Sequence, residues 1–280
     1  MLKYLALLSA LFILLAGGDK HSHQPFTQIA NKHVNECSGI IKSSRYPGVF
    51  WTHNDSGGEA ELYPLFLNES SGKKQRKNRT EVKGSQNRDW EELAAYPGGR
   101  VVIGDFGNNA NARRDLTLYI LPEPDPYKKK GKVKVEKRIT FRFEDQEAFP
   151  PRLRNFDCEA MFVRGETVYL LTKHRSDTDT KLYKVVGDTA RKLATFPIGS
   201  RVTAADLSPD GKRAVVLTYE YLWLFVGGGE NIFKGKAYRL PIKLGQCEGA
   251  CFDGESVIVT NEAGEVFRIA IAELLAHPAP

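Results

Sequence analysis

Short apolar runs alternate with polar turn residues along most of the chain, and they return in a fixed order. Five of them, "VFWTH" from Val49, "VVIGD" from Val101, "TVYLLT" from Thr167, "AVVLT" from Ala214 and "SVIVT" from Ser256, are β-branched or aromatic and closed by polar residues. That is the pattern of a strand. Each follows a tight-turn signal: "YPG" at Tyr46, "PGG" at Pro97, "RG" at Arg164, "PDG" at Pro209 and "DG" at Asp253. Gly, Pro and Asp at such places let the chain reverse. Each run is followed by another short phrase, with its aromatic at Tyr63, Tyr119, Tyr183, Phe225 or Phe267. A further apolar or alternating run closes most units, most clearly "VEKRITFRF", "RKLATFPI" and "KAYRLPI".

Ahead of each turn, at the start of one more run, stands an acid. The phrases are "NECSGI" with Glu36, "DWEELA" with Glu91, "DCEAMF" with Glu159, "AADLSP" with Asp206 and "QCEGAC" with Glu248, at intervals of 55, 68, 47 and 42 residues. Four strands per unit at this period predict an all-β fold, a β-propeller of five four-stranded blades. Six blades remain open if the longest interval conceals a degenerate unit. The last unit runs out after "EVFRIAIAELLA" without a clear fourth strand, and "FTQIANKHV" at Phe26–Val34 has no unit of its own. Pairing these N- and C-terminal segments would close the ring and remove an open edge.

The acids then acquire a position. In an antiparallel blade, the residue before the first strand and the loop after the second share one end of the ring. Those loops are polar: "THNDSGGE" from Thr52, "GDFGNNANARR" from Gly104, "TKHRSDTD" from Thr172, "TYEY" from Thr218 and "TNEAGE" from Thr260. Glu36, Glu91, Glu159, Asp206 and Glu248 therefore form the candidate metal set. His53, Asn54, Asp55, Asp105, Asn109, Lys173 and His174 form the candidate ligand-binding rim. Five carboxylates around one axis raise one another's pKa unless something positive sits among them. Oxygen ligands without a matching His or Cys cluster favour a hard cation such as Ca²⁺ over zinc. The competing reading is that each acid caps backbone N–H groups at a strand start, with no metal.

The first residues, "MLKYLALLSALFILLAGG", combine one Lys, an apolar stretch too short to span a membrane and a small-residue end, the composition of a signal peptide. Residues 1–23 are read as signal and linker, and 24–280 as a single propeller domain, periplasmic or secreted, monomeric and without a membrane span after signal removal. Gly18 stands where a lipoprotein signal carries its lipidated cysteine, which argues against an anchor. The net charge of +6 comes largely from "GKKQRKNRT" at Gly72 and "YKKKGKVKVEKR" at Tyr127, both read as solvated loops. Neither interleaves stacking aromatics with its basic residues, so nucleic acid is excluded as a partner. Of the four cysteines, Cys247 and Cys251 lie roughly 13 Å apart in an extended strand, too far to bond. Cys37 with Cys247 is the one pairing that ring closure allows; otherwise all four, Cys158 included, are small buried residues.

The phrases "ECSGI…HNDSGG", "DWEELA…GDFGNN", "LPEPDP", "DCEAMF…LLTK" and "AADLSPDGK…VLTY" resemble an exported bacterial family of β-propeller proteins of uncharacterised function, loosely similar to phytase-like and esterase-like propellers. The phytase-like resemblance implies several calcium ions and phosphate-ester hydrolysis by a metal-activated water, with the five acids holding a central cation. Two functions of different class follow. One is a propeller that binds a hard cation and a small polar or phosphorylated ligand, or a protein partner; the other is a metal-dependent phosphoester or ester hydrolase. A glycoside hydrolase is a further alternative, since two carboxylates across a cleft suffice, although the loops hold few aromatics to platform a sugar. His53, Asp55 and Ser56 supply the residue types of a Ser/His/Asp triad, but neighbours so close along one loop rarely reach its geometry and there is no nucleophile elbow, so this is the weaker reading.

Overall fold

The computed structural model describes residues 23–67 and 77–280. The expected leader and part of the first basic stretch lie outside the described residues. The β-branched runs fold as strands that sort into five sets, each beginning with a strand buried on both faces. These first strands are β2 (Cys37–Lys42), β6 (Trp90–Tyr96), β11 (Asp157–Arg164), β15 (Val202–Leu207) and β19 (Cys247–Asp253). In space β2 lies against β6, β6 against β11, β11 against β15, β15 against β19, and β19 against β2. The five inner strands therefore succeed one another around a closed circle, the architecture of a β-propeller.

Outside each inner strand the sheet continues antiparallel. The second strands are β3 (Phe50–Asn54), β7 (Arg100–Asp105), β12 (Thr167–Lys173), β16 (Arg213–Thr218) and β20 (Ser256–Asn261). The third are β4 (Glu61–Leu65), β8 (Leu116–Pro122), β13 (Thr180–Val186), β17 (Tyr221–Val226) and β21 (Glu265–Ala270). The outer strands are β5 (Arg79–Lys83), β10 (Lys137–Phe143), β14 (Thr189–Phe196), β18 (Lys236–Pro241) and, for the last set, β1 (Thr27–Gln28). The recurrent aromatics Tyr63, Tyr119, Tyr183, Phe225 and Phe267 are all buried, as are Trp51, Trp90 and Trp223. Trp51, Trp90 and Tyr119 share one core cluster that bridges the first two sets, so these rings fill the space between neighbours, where large aromatic area contributes most.

The ring closes where the sequence left a gap. Thr27 pairs with Val266 and Gln28 with Glu265, and flanking N–H groups extend the seam, Phe26 N to Val266 O at 2.9 Å and Ile29 N to Gly264 O at 2.8 Å. After β21 the chain turns into a short helix, α1 (Ile271–Leu275), that packs on β17 and β18 of the preceding set; no sequence signal announced it.

The second basic stretch departs from expectation. Lys130–Lys134 is a strand, β9, added parallel to β5 as a fifth member of the first sheet. In "KGKVK" every second residue is lysine, and Gly131 and Val133 face inward, a period-2 alternation that the density of charge concealed. The Cys37–Cys247 bridge that ring closure would allow is not formed, and the cysteines are the small buried residues of the other reading. All four cysteines are free and buried, with Cys37 Sγ 3.2 Å from Thr52 Oγ1 and Cys247 Sγ donating to Thr218 O at 3.5 Å.

Candidate functional site

Each inner strand carries one bulge, always near its start. The ladder skips a residue between Ser38 and Ile40, Trp90 and Glu92, Cys158 and Ala160, Val202 and Ala204, and Cys247 and Gly249. The skipped residues are Gly39, Glu91, Glu159, Thr203 and Glu248. A bulged residue is released from the ladder and its side chain re-aimed, and here three of the five are buried carboxylates, Glu91 feeling the charge of Glu159 and Glu159 that of Glu248. The chain thus builds three axial acids, one hydroxyl and one bare backbone position.

Glu36 and Asp206 do not belong to this level. Glu36 precedes β2 by one residue, is exposed, and lies three residues ahead of the bulge at Gly39. Asp206 lies three residues beyond the bulge at Thr203 and faces a cavity of about 700 Å³ that also involves Ile41, Tyr96, Arg164 and Phe252, residues at the other end of the inner strands. Its carboxylate accepts N–H groups from Leu207 and from Phe252 of the neighbouring β19, both at 2.8 Å. Burial lifts its pKa to about 7 against those two bonds. Aligning the repeats on the acid rather than on the bulge shifts these two units by three residues.

At the mouth, one oxygen each of Asp55, Asp89 and Glu91 lie within 4.8 Å of one another. Asp55 follows β3, Asp89 precedes β6, and Glu91 is the β6 bulge. The loop after β7 presses against them with no side chain of its own at Gly107, where a Cβ would stand 2.0 Å from Glu91 Oε1 and 2.5 Å from Asp89 Oδ2. Among the described residues, neither Asp89 nor Glu91 has a hydrogen-bond donor or a cation on its carboxylate; Asp55 Oδ1 accepts only the Ser56 N–H. Burial, then the charges of Glu159, Asp89, Asp55 and Asp157, push Glu91 well above the usual carboxylate range. Asp89 rises to about 6, chiefly by burial, with Asp55, Asp157 and Asp105 adding and Arg113 opposing.

Beside this trio stands a second group, in which charges are matched. Lys173 Nζ bonds Glu159 Oε2 at 3.1 Å and donates to Tyr219 Oη at 3.1 Å; Tyr219 donates onward to Glu248 Oε1 at 2.7 Å. Burial works against the ammonium of Lys173, but Glu159 and Glu248 hold it protonated above its ordinary range. Arg175 Nε donates to Asp157 Oδ2 at 2.7 Å and Nη2 reaches Glu159 Oε1 at 3.4 Å. Asp157 also accepts the Asn108 N–H at 2.7 Å. Two cations thus serve three acids on one side of the mouth, while among the described residues the trio on the other side has no paired cation and only the more distant charge of Arg113.

The remaining rim residues divide by what they touch. Asp55 and Lys173 are part of the mouth. Asp105 supports it, accepting the Asp89 N–H at 3.1 Å and the Arg113 guanidinium at 3.0 Å. Asn54 ties down the incoming chain, accepting from Asn35 N at 3.0 Å and donating to His33 O at 2.8 Å. Asn109 is exposed, and its neighbour Asn108 makes the contact to Asp157. His53 is buried, edge-on to Trp90, with Nδ1 donating to Asn54 O at 2.9 Å; burial lowers its pKa to about 4 and keeps it neutral. His174 is engaged by Asp177 at 2.5 Å.

Sequence reasoning passed over Asp89, Asp157, Arg175, Tyr219 and Glu92. The first two were available as the twice-written D-x-E of "DWE" and "DCE"; Arg175 and Tyr219 occur in one unit each and leave no repeat signal. Glu92 is fully buried, with Oε2 accepting Ala205 N at 3.1 Å and Oε1 accepting Leu93 N at 3.0 Å. β6 and β15 are not neighbours in the ring, so this side chain ties together two inner strands that do not pack on one another.

The fold and mouth define a class, a β-propeller with a largely buried cluster of carboxylates at one end of its inner strands. No protein-family profile matches the chain, and no curated protein matches it in sequence. Among solved structures, a propeller-like chain of the nidogen/laminin complex superposes with TM-score 0.51 at 12% identity, over 85% of this chain and 78% of that one. A chain of the mitotic checkpoint complex reaches TM-score 0.40 at 11% identity, over 82% of this chain and 63% of that one, too distant to carry an argument. Identities this low speak to fold alone, and propellers serve too many ends for fold to carry activity. Among the described residues no helix is long and apolar enough to cross a membrane.

Proposed function

We propose that the mouth binds a hard divalent cation, calcium first, on Asp55, Asp89 and Glu91, and that this propeller is an exported binding protein for a small polar or anionic ligand. One observation carries the reading: three carboxylates converge within 4.8 Å, and among the described residues no ion pair reaches any of them, Arg113 acting on Asp89 only from a distance. Oxygen-only donors suit Ca²⁺. Gly107 supports the same reading, since it keeps the space beside Glu91 and Asp89 free of a side chain. An anionic group on the ligand would meet the cation on one side and Arg175, 25% exposed, on the other. The phytase-like reading, in which a metal-activated water attacks a phosphoester, uses the same positions and differs in demanding turnover.

Thermal unfolding of chelator-treated protein, titrated with Ca²⁺, Mg²⁺ or Mn²⁺, tests the proposal, because a ligand of the folded state raises the midpoint with concentration. The expected result is a calcium-dependent rise that disappears in Glu91→Gln and Asp89→Asn and survives in Asp206→Asn. No response to any of the three cations, or equal loss in Asp206→Asn, overturns it. Phosphoester turnover that needs the metal and vanishes in Glu91→Gln would select the hydrolase.

A further inference from the structure

The strand β9 poses a problem that the sheet itself does not explain. In its parallel pairing with β5, Arg79 stands opposite Lys130, Glu81 opposite Lys132 and Lys83 opposite Lys134. Paired residues share a face, so these six side chains form one surface, while Thr80, Val82, Gly131 and Val133 turn toward the protein. Two of the three cross-strand pairs set cation against cation, an arrangement that weakens a sheet. Glu81 is divided between Lys83 and Lys132, and Arg79 leans on Glu61 at 3.5 Å. Lys130 and Lys134 have no acidic partner among the described residues, nor do Lys128 and Lys129 just before the strand; all four are exposed. A glutamate at 130 or 134 would satisfy the ladder better than the lysine present, so these charges answer to something outside the fold.

What they answer to is narrowed by the neighbouring aromatics. Tyr127, 58% exposed, stands at the head of the lysine row, edge-on to Tyr46 at 6.1 Å and beside Phe66 at 5.9 Å. An amphipathic ring beside clustered lysines is the composition of a segment that rests on an anionic bilayer, the ring at headgroup depth and the ammonium groups on the lipid charge. Single-stranded nucleic acid needs aromatics between the basic residues for its bases to stack on, and from Lys128 to Lys137 there is none. We propose that the β5–β9 edge is a docking face for an anionic lipid surface, held by Lys128, Lys129, Lys130, Lys132, Lys134 and Tyr127.

The test is sedimentation of the full chain with phosphatidylcholine vesicles made with and without phosphatidylglycerol, at low and physiological salt. Binding is expected only to the phosphatidylglycerol vesicles, and it should fall steeply as salt shortens the reach of the charges. The variant Lys130→Glu/Lys134→Glu should lose at least about tenfold in vesicle affinity, each lysine near a charged surface contributing a severalfold factor. Its thermal midpoint should equal or exceed that of the unmodified chain, because each substitution sets a carboxylate against Arg79 or Lys83; a folding defect cannot then mimic the loss. Equal binding to neutral vesicles, no binding at all, or unchanged affinity in the variant overturns the proposal. Displacement from the vesicles by heparin or single-stranded DNA at equal charge concentration would overturn it too, giving the face to a linear polyanion.

Discussion

Gly107 has no side chain because the carboxylates of Glu91 and Asp89 occupy the volume a Cβ would take. Gly107→Ala should therefore cost about 1–3 kcal/mol by overpacking and abolish the calcium response as fully as Glu91→Gln, although the residue contributes no ligand atom; melts with and without calcium measure both. The neighbouring acids predict a pH dependence whose sign is unusual for carboxylates. Asp89 has a folded-state pKa of about 6 against an ordinary 3.8, so between those values the folded chain holds a proton that the unfolded chain has released. The contribution of Asp89 to stability without metal must therefore fall as pH rises through that window, and Glu91, raised by the same burial and repulsion, pushes in the same direction. Bound calcium favours the ionised carboxylates and should flatten or reverse the trend. Melts in chelator and in calcium across this range, run beside Asp89→Asn, separate this contribution from carboxylates lowered elsewhere, such as Asp145 and Asp253, and a stability difference between the two chains that does not change with pH in chelator would refute the clustering.

At the level of elements, sequence reading succeeded where a strand repeats a phrase and failed where geometry depends on a single skipped residue. The second and third strands were legible from β-branched runs and recurrent aromatics, since both follow from burial between neighbouring sets. The level of the axial acids was legible in the blades that spell Glu91, Glu159 and Glu248, although only Glu91 of the three joins the carboxylate cluster, Glu159 and Glu248 being matched with Lys173. Glu36 and Asp206 lie off that level, because a bulge is a property of the ladder and leaves no mark of its own in composition. Gly39 marks the bulge in β2 through its φ of +53°, a left-handed backbone that L side chains avoid, with His53 Nε2 2.8 Å from where a Cβ would stand. Gly39→Ala is expected to destabilise by more than about 1 kcal/mol, whereas Gly48→Ala, at φ +74° but with open space around it, should show the backbone cost alone. The difference between their denaturant midpoints isolates the crowding at the bulge.

For the whole molecule, the ring accounts for the state of its cysteines. Cys37, Cys158, Cys247 and Cys251 lie in the inner strands, and burial pushes the Cys247 thiol up to about 12 and raises the other three. A thiol held protonated and out of solvent does not react, so a thiol reagent should label none of the four in the native protein and all four after denaturation. Labelling of fewer than four in denatured, unreduced protein would instead reveal a disulfide. The seam imposes a different constraint, on assembly. Thr27 must wait for Val266 before its set is complete, and until then both free edges are open to pairing with another chain. Ring closure is thus the last step available to a chain emerging from its N-terminus. A molecule halted short of residue 266 would present two unpaired edges at once, each able to find its partner in a second copy rather than in itself.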